Sequence, residues 1–179
     1  MLLLCACSSR DREVRTYSIA KVQPAPQLAA KAFSQTSSGA VRWTSPAGWK
    51  ELPGDSIRLA IFEVPGKEGG AKAEASITVL GGEAGGLEAN VNRWRQQAGL
   101  EPASADEIKR SGKGGKAKFG DFQQFQIDGA EGMPSILAAV FSRPGKTLFV
   151  KLTSKQKILE TQKASFTALC RSVRDSDEN

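Results

Sequence analysis

Residues 136–152 read ILAAVFSRPGKTLFVKL, two apolar runs separated by a turn. The first run, 136–141, is apolar at every position, which is typical of a strand buried on both faces of a sheet. Arg143-Pro144-Gly145-Lys146 fits a type II turn, with Pro second and Gly third. The run 147–152 is then the antiparallel partner of the first. We expect these two strands to lie at the centre of the sheet.

Further strands are predicted on both sides along the chain. Upstream, they cover 41–43, 57–64 and 73–80, because apolar and polar residues alternate there between turn residues. The alternation places Ile57, Leu59 and Ile61 on one face of the second strand, and turns Ile77 and Val79 of the third strand inward. Nearer the central pair, residues 111–115 are expected to form a loop, and 117–127 a long strand bulged near Gly120.

Two helices complete the predicted pattern. Leu87, Val91, Trp94 and Ala98 recur at helical spacing, which predicts a helix over 87–98. Capping-box patterns begin at Ser104 and Thr153. The second of them opens a closing helix whose apolar side carries Ile158, Leu159, Phe166, Leu169, Cys170 and Val173. The order of strands and helices predicts an α+β fold, a mainly antiparallel sheet of about six strands covered by helices.

The chain length of 179 residues favours one domain. We expect a single α/β domain over 40–174 and a disordered acidic tail over 175–179. Residues 7–39 are rich in Ser, Ala, Gln and Pro and are expected to form a flexible linker. Within this linker, Glu13 to Ile19 alternates loosely and could form a strand that docks on the domain edge.

The N-terminal residues predict that the protein is located in the cell envelope. Leu4-Cys5-Ala6-Cys7 resembles the bacterial lipobox, in which the final cysteine carries a diacylglycerol. Residues 1–6 are expected to be the remnant of a truncated signal peptide, since a complete one has a basic start and a longer apolar run. In similar lipoproteins, a serine directly after the lipidated cysteine, as at Ser8, is typical of proteins anchored in the outer membrane on its periplasmic side. The alternative is a hydrophobic N-terminus on a cytosolic protein.

Composition argues against catalysis and nucleic-acid binding. The chain has no histidine, which is the commonest general base and metal ligand, and its three cysteines form no zinc pattern. The net charge of +6 favours an anionic partner surface. Its basic residues are scattered, whereas a nucleic-acid binder typically carries a dense basic stripe with stacking aromatics. We therefore expect a non-enzymatic protein without cofactor, metal or nucleic acid, whose partner is an envelope protein complex or the membrane surface.

Residues 81–86, Gly-Gly-Glu-Ala-Gly-Gly, stand between a predicted strand and the first helix. Neither a dinucleotide fingerprint nor a phosphate loop fits, because Glu83 occupies a required glycine position and no Gly-Lys-Ser/Thr follows. We interpret the segment as a flexible connection. Free amides at the start of the helix could nevertheless hold an anion. The candidate partner or ligand contacts are Trp49, Gly82, Gly85, Gly86, Arg93 and Arg95.

Four segments resemble the PsbP-like fold, an α-β-α sandwich first known from an extrinsic subunit of photosystem II. They are Pro46-Ala47-Gly48-Trp49, the helix after the third strand, the strand 146–152 and the closing helix segment 166–173. Residues 90–95 with Gly99-Leu100 also look like uncharacterised bacterial lipoproteins of this layout. The resemblance covers about 40–174. It implies an accessory or assembly factor that binds partners, and it brings no catalytic residues.

Two functions follow from these observations. The first is a membrane-tethered, non-enzymatic envelope module that binds a partner through its surface. The second is a small-ligand or anion-binding domain that uses the Gly81–Gly86 loop and the helix after it.

Overall fold

The computed structural model describes residues 41–66 and 73–176. The expected lipid anchor at Cys7, the linker over 7–39 and the strand over 13–19 lie outside these residues. Asp175, the first residue of the expected disordered tail, lies in a strand. No helix in the described part of the chain has the length and apolar character needed to cross a membrane.

One antiparallel sheet of seven strands forms the body of the protein, in the order β2-β3-β4-β8-β7-β6-β5. A separate small pair joins β1 to β9. The predicted α+β class is confirmed. The strands are β1 (Val41–Arg42), β2 (Lys50–Pro53), β3 (Arg58–Val64), β4 (Ala73–Gly81), β5 (Lys113–Ala117), β6 (Gly120–Ile127), β7 (Ser135–Arg143), β8 (Lys146–Ser154) and β9 (Arg174–Asp175).

Helices cover both faces of this sheet. Helix α3 (Gln156–Ser172) packs on one face, while α1 (Gly86–Gln97) and α2 (Ala105–Ser111) pack on the other. Strand β7 lies between β6 and β8, and its first seven residues are buried. The prediction of a central strand and its hairpin partner is therefore confirmed, and Gly145 has the positive φ of 76° that a type II turn requires.

The face under α3 holds most of the large buried side chains. Phe141 of β7 packs against Phe119 and Phe122, with ring centroids 5.9 Å and 4.9 Å apart. Side chains of one strand alternate between the two faces of a sheet. Val140 consequently faces α1, within a second cluster that contains Val91, Trp94 and Phe149. The two clusters sandwich the sheet between helices.

Four local predictions were wrong. In β3 the buried residues are Ala60, Phe62 and Val64, because the strand packs this face into the core under α3. Ile57 lies before the strand and is 60% exposed. Residues 113–117 form edge strand β5 rather than a loop. The strand predicted over 117–127 begins only at Gly120, because a turn at 118–119 joins β5 to β6. No side-chain cap opens α3, whose N-cap is Lys155.

Cys170 tests the packing of α3. Its side chain is fully buried, and burial raises the pKa of the thiol above its usual range. We expect Cys170 to react slowly with a thiol reagent in the native protein and rapidly in denaturant, measured by mass spectrometry of the peptide that contains it. Cys170→Ala should lower the free energy of unfolding by about 1 kcal/mol. Rapid native labelling would show that this face of α3 is open.

Candidate functional site

Two adjoining cavities lie on the α1 face, at the end of the sheet where β7 turns into β8. One, of about 440 Å³, lies between Leu87 and the β5–β6 hairpin. The other, of about 530 Å³, lies between the start of α1 and the turn around Pro144. Both are lined by Leu87, Val140 and Ser142. We call the combined depression the end groove.

The groove exists because α1 covers only part of its face of the sheet. Helix α1 begins beside Val140, and the sheet continues past it through β6 to β5. Lys116 of β5 lines the groove with Asp121 and Gln123 of β6, and all three side chains are exposed. Gly114 adds no side chain, so the depression stays open. The floor is thus apolar under Leu87 and polar towards β5.

Hydrogen bonds hold residues 81–86, the glycine loop before α1, in place. The N–H of Gly82 donates to the Gly145 carbonyl at 2.9 Å, and the N–H of Gly86 donates to the Glu83 carbonyl at 2.9 Å. Thr147 Oγ1 donates to the Gly82 carbonyl at 2.8 Å. Positive φ angles at Gly82, Gly85 and Gly86 explain the choice of glycine there. Two of the amides expected to hold an anion are therefore already engaged within the protein.

Asn90 fastens this loop to α1. Its Nδ2 donates to the carbonyls of Ala84 at 2.9 Å and Gly86 at 2.6 Å, and its Oδ1 accepts from Arg93 at 3.0 Å. The side chain is only 3% exposed and also lines the end groove. Sequence reasoning missed this residue. The signal was a polar side chain three positions from Leu87 and four from Trp94, on the apolar side of the helix.

The structure brings together only some of the predicted contact residues. Gly82 and Gly86 line the end groove, and Gly85 is the N-cap of α1. Arg93 turns towards Asn90. Arg95 lies elsewhere, because its Nε donates to the carbonyl of Glu101 at 2.8 Å.

The expected surface contact at Trp49 is corrected by the structure. Its side chain is 7% exposed and packs edge-on against Phe62, with ring centroids 5.8 Å apart. The indole N–H donates to Gln162 on α3 at 3.0 Å. Trp49 is therefore part of the core under α3, and the Pro46–Gly48 turn that precedes it directs the ring inward.

Positive charge is concentrated over α2, β5 and the turn that follows β5, and Lys116 of this region lines the groove. Five exposed basic residues occupy the ten positions from 109 to 118: Lys109, Arg110, Lys113, Lys116 and Lys118. We call this set the basic strip. None of the five forms an ion pair in the described ranges 41–66 and 73–176. By contrast, Arg143 and Lys146 on the neighbouring turn are both paired with Asp175. The basic strip thus differs from this turn in having no ion pair among the described residues.

Asn90→Ala tests the loop attachment. Removing the amide leaves two carbonyls, those of Ala84 and Gly86, without their donor in a nearly buried site. We expect the free energy of unfolding to fall by about 1–2 kcal/mol, measured by urea denaturation. Asn90→Asp keeps the oxygen that accepts from Arg93 but loses the donors, and should show a similar loss. Unchanged stability in both variants would contradict this role.

No protein-family model matches this sequence, and no curated protein is detectably similar to it. Similar solved structures include the following two. The solution structure of cyanobacterial PsbP from Synechocystis is 14% identical, covers 76% of this chain and 93% of its own, and has a TM-score of 0.42. LpqN, which is involved in cell envelope biogenesis of Mycobacterium tuberculosis, is 13% identical, covers 75% of this chain and 82% of its own, and has a TM-score of 0.45. The first of them carries the fold that the sequence resemblance named.

Proposed function

We propose that this domain is a membrane-tethered, non-enzymatic accessory module of the bacterial envelope, and that it docks on a partner protein through the end groove and the basic strip. The observation that carries the proposal is the juxtaposition of these two features at one end of the sheet. There the sheet is open beyond α1, and the cations of the basic strip form no ion pair among the described residues. Elsewhere on the same face, α1 and α2 pack over the second core cluster.

The residues that line the end groove are suited to binding a partner protein. Leu87 and Val140 offer apolar contact, and Gln123 and Ser142 offer uncharged hydrogen-bonding groups. At its β5 rim, Lys116 lies opposite Asp121 in the strand register, so both signs of charge are present. Such a mixture of an apolar centre and a polar rim is the usual anatomy of a protein interface.

The buried polar residues support a structural rather than a catalytic use. Asn90 and Thr147 donate to carbonyls of the glycine loop, and Ser135 Oγ accepts from the N–H of Gly129 at 2.9 Å. Each therefore holds a backbone segment in place. Together with a sequence that lacks histidine, this arrangement favours a binding module over an enzyme.

The tether is proposed at Cys7. The gene product should incorporate a labelled fatty acid and partition into the detergent phase, because the lipobox-like residues 4–7 precede a polar linker. Cys7→Ala should abolish the label and release the protein to the soluble fraction, measured by autoradiography and fractionation. Cys5→Ala is the matched control and should leave the label in place. Label retained by Cys7→Ala would contradict the tether.

Docking can be tested by photo-crosslinking in cells. A photoreactive phenylalanine analogue at Gln123 lies in the groove, while the same analogue at Ile57 lies on an exposed position before β3, towards the opposite edge of the sheet. We expect Gln123 to capture one protein, identified by mass spectrometry, and Ile57 not to capture it. Lys113→Glu in the basic strip should reduce that capture. Equal capture from both positions, or none from Gln123, would refute docking at the groove.

A further inference from the structure

Strand β5 ends the sheet. It pairs with β6 on one side, and in the part of the chain that the structure describes no strand follows it on the other. Ala117 and Gly120 flank the two-residue turn 118–119 and so form a hydrogen-bonded pair. Such pairs alternate along an antiparallel ladder. The N–H and C=O groups of Lys116 and Gly114 therefore point outward from the edge, ready to pair with another strand.

This edge lacks the usual steric protections. It contains no proline, and Gly114 has no atom within 4 Å of the place where a Cβ would stand. Gly114 and Lys116 are exposed, and the end groove opens along the same strand. A second backbone can therefore approach β5 closely, which is what glycine in a strand often permits.

The basic residues around β5 determine which kind of strand can pair with its open edge. The basic strip surrounds the edge, with Lys113 and Lys116 in the strand itself and Lys118 in the turn that follows. A second copy of β5, paired antiparallel about Lys116, would place the Lys116 side chains of the two copies directly opposite one another. Like charges directly opposite one another destabilise a strand pair, and edge lysines are a common device against self-association. An acidic segment would instead be attracted.

We propose that the outer edge of β5 binds an extended segment of the partner, rich in Asp and Glu, as an eighth strand of the sheet. This proposal rests on the proposed function and names the chemistry of its partner. Backbone hydrogen bonds to Gly114 and Lys116 provide the pairing. The basic strip provides the preference for acidic side chains, and the end groove receives those side chains of the added strand that point to the α1 face.

The test uses the full chain carrying Cys7→Ala and a fluorescent peptide of alternating Glu and Val, followed by fluorescence anisotropy. A peptide of alternating Lys and Val should not bind. Gly114→Pro removes an outward N–H without changing charge and should weaken binding by about tenfold or more, whereas Gly114→Ala should change it by less than about twofold. Lys113→Glu should weaken binding by about tenfold, and Lys155→Glu at the start of α3 should not.

Three results would overturn the proposal. The first is equal binding by Gly114→Pro and the parent, which would mean that charge alone acts. The second is binding of the basic strip to phosphatidylglycerol vesicles in preference to the peptide. The third is a dimer in sedimentation that excludes the peptide. If Gln123 crosslinks its partner in cells while the acidic peptide fails to bind, edge pairing is wrong and docking at the groove stands.

Discussion

Phe141→Ala is expected to lower the free energy of unfolding by about 3–5 kcal/mol. Phe141 lies in β7, the strand between β6 and β8, and its side chain is fully buried. Its ring contacts Phe119 and Phe122, which come from the hairpin turn and from β6. Truncation therefore removes apolar contact and leaves a cavity that the surrounding strands cannot readily fill.

Urea denaturation measures this loss. Phe141→Leu keeps part of the volume and should lose about half as much stability. Ser142→Ala is the matched surface control, since Ser142 is the exposed neighbour on the other face of β7, and it should stay within about 0.5 kcal/mol of the parent. A loss below about 1 kcal/mol for Phe141→Ala would mean that this aromatic cluster is not the centre of the core.

Gly115→Val is expected to cost about 3 kcal/mol, because the new side chain would enter the space of Phe122. A Cβ at Gly115 would stand 2.2 Å from the nearest atom of that ring. Phe122 is 4% exposed and lies against Phe141, so its ring cannot swing aside without opening the core. Close packing makes such overlap costly even where the backbone would accept a side chain.

The neighbouring glycine gives the matched control. Gly114→Val adds the same side chain to the same strand, in a position with open space around the Cβ. It should leave stability within about 0.5 kcal/mol of the parent or raise it slightly, since valine favours strands. Thermal unfolding of the two variants measures the difference. Equal losses of stability at both positions would show that any side chain at either glycine of β5 is destabilising, and would contradict the packing of Phe122 over Gly115.

The sequence was sufficient where burial and local pattern agree. The apolar run 136–141 must be buried on both faces, and this requirement alone places β7 at the centre of a sheet. The spacing of Leu87, Val91 and Trp94 likewise predicts a helix whose apolar side faces the core. Helix α1 begins within one residue of that prediction. Ser104 caps α2 as expected, with Glu107 completing the capping box.

Strand β5 could not be predicted from local preference. Lys113-Gly-Gly-Lys-Ala117 has little tendency to form a strand, since glycine is unfavourable there. Its pairing depends on β6, and its Gly115 is required by Phe122, a contact that only the folded chain creates. The same holds at Thr153, which the sequence assigned to a helix cap. It pairs with Glu74 and Ile136 inside the sheet instead.

The candidate site was predicted only in part. The glycines of residues 81–86 were singled out, and Gly82 and Gly86 do line the groove. Their engagement with Gly145, Thr147 and Asn90 could not be foreseen, because it depends on how β4, β8 and α1 meet. The basic residues, including those over 109–118, looked scattered in the sequence. Only the strand order shows that they border an open edge.

Amide hydrogen exchange of β5 tests the central claim most directly. The measurement compares the full chain carrying Cys7→Ala with and without a saturating amount of the acidic peptide, residue by residue, by NMR. We predict that the outward amides of Gly114 and Lys116 exchange at least about tenfold more slowly when the peptide is bound. Amides of β2, at the opposite edge, should exchange at an unchanged rate. Unchanged exchange at Gly114 and Lys116 in the peptide-bound protein would contradict the account.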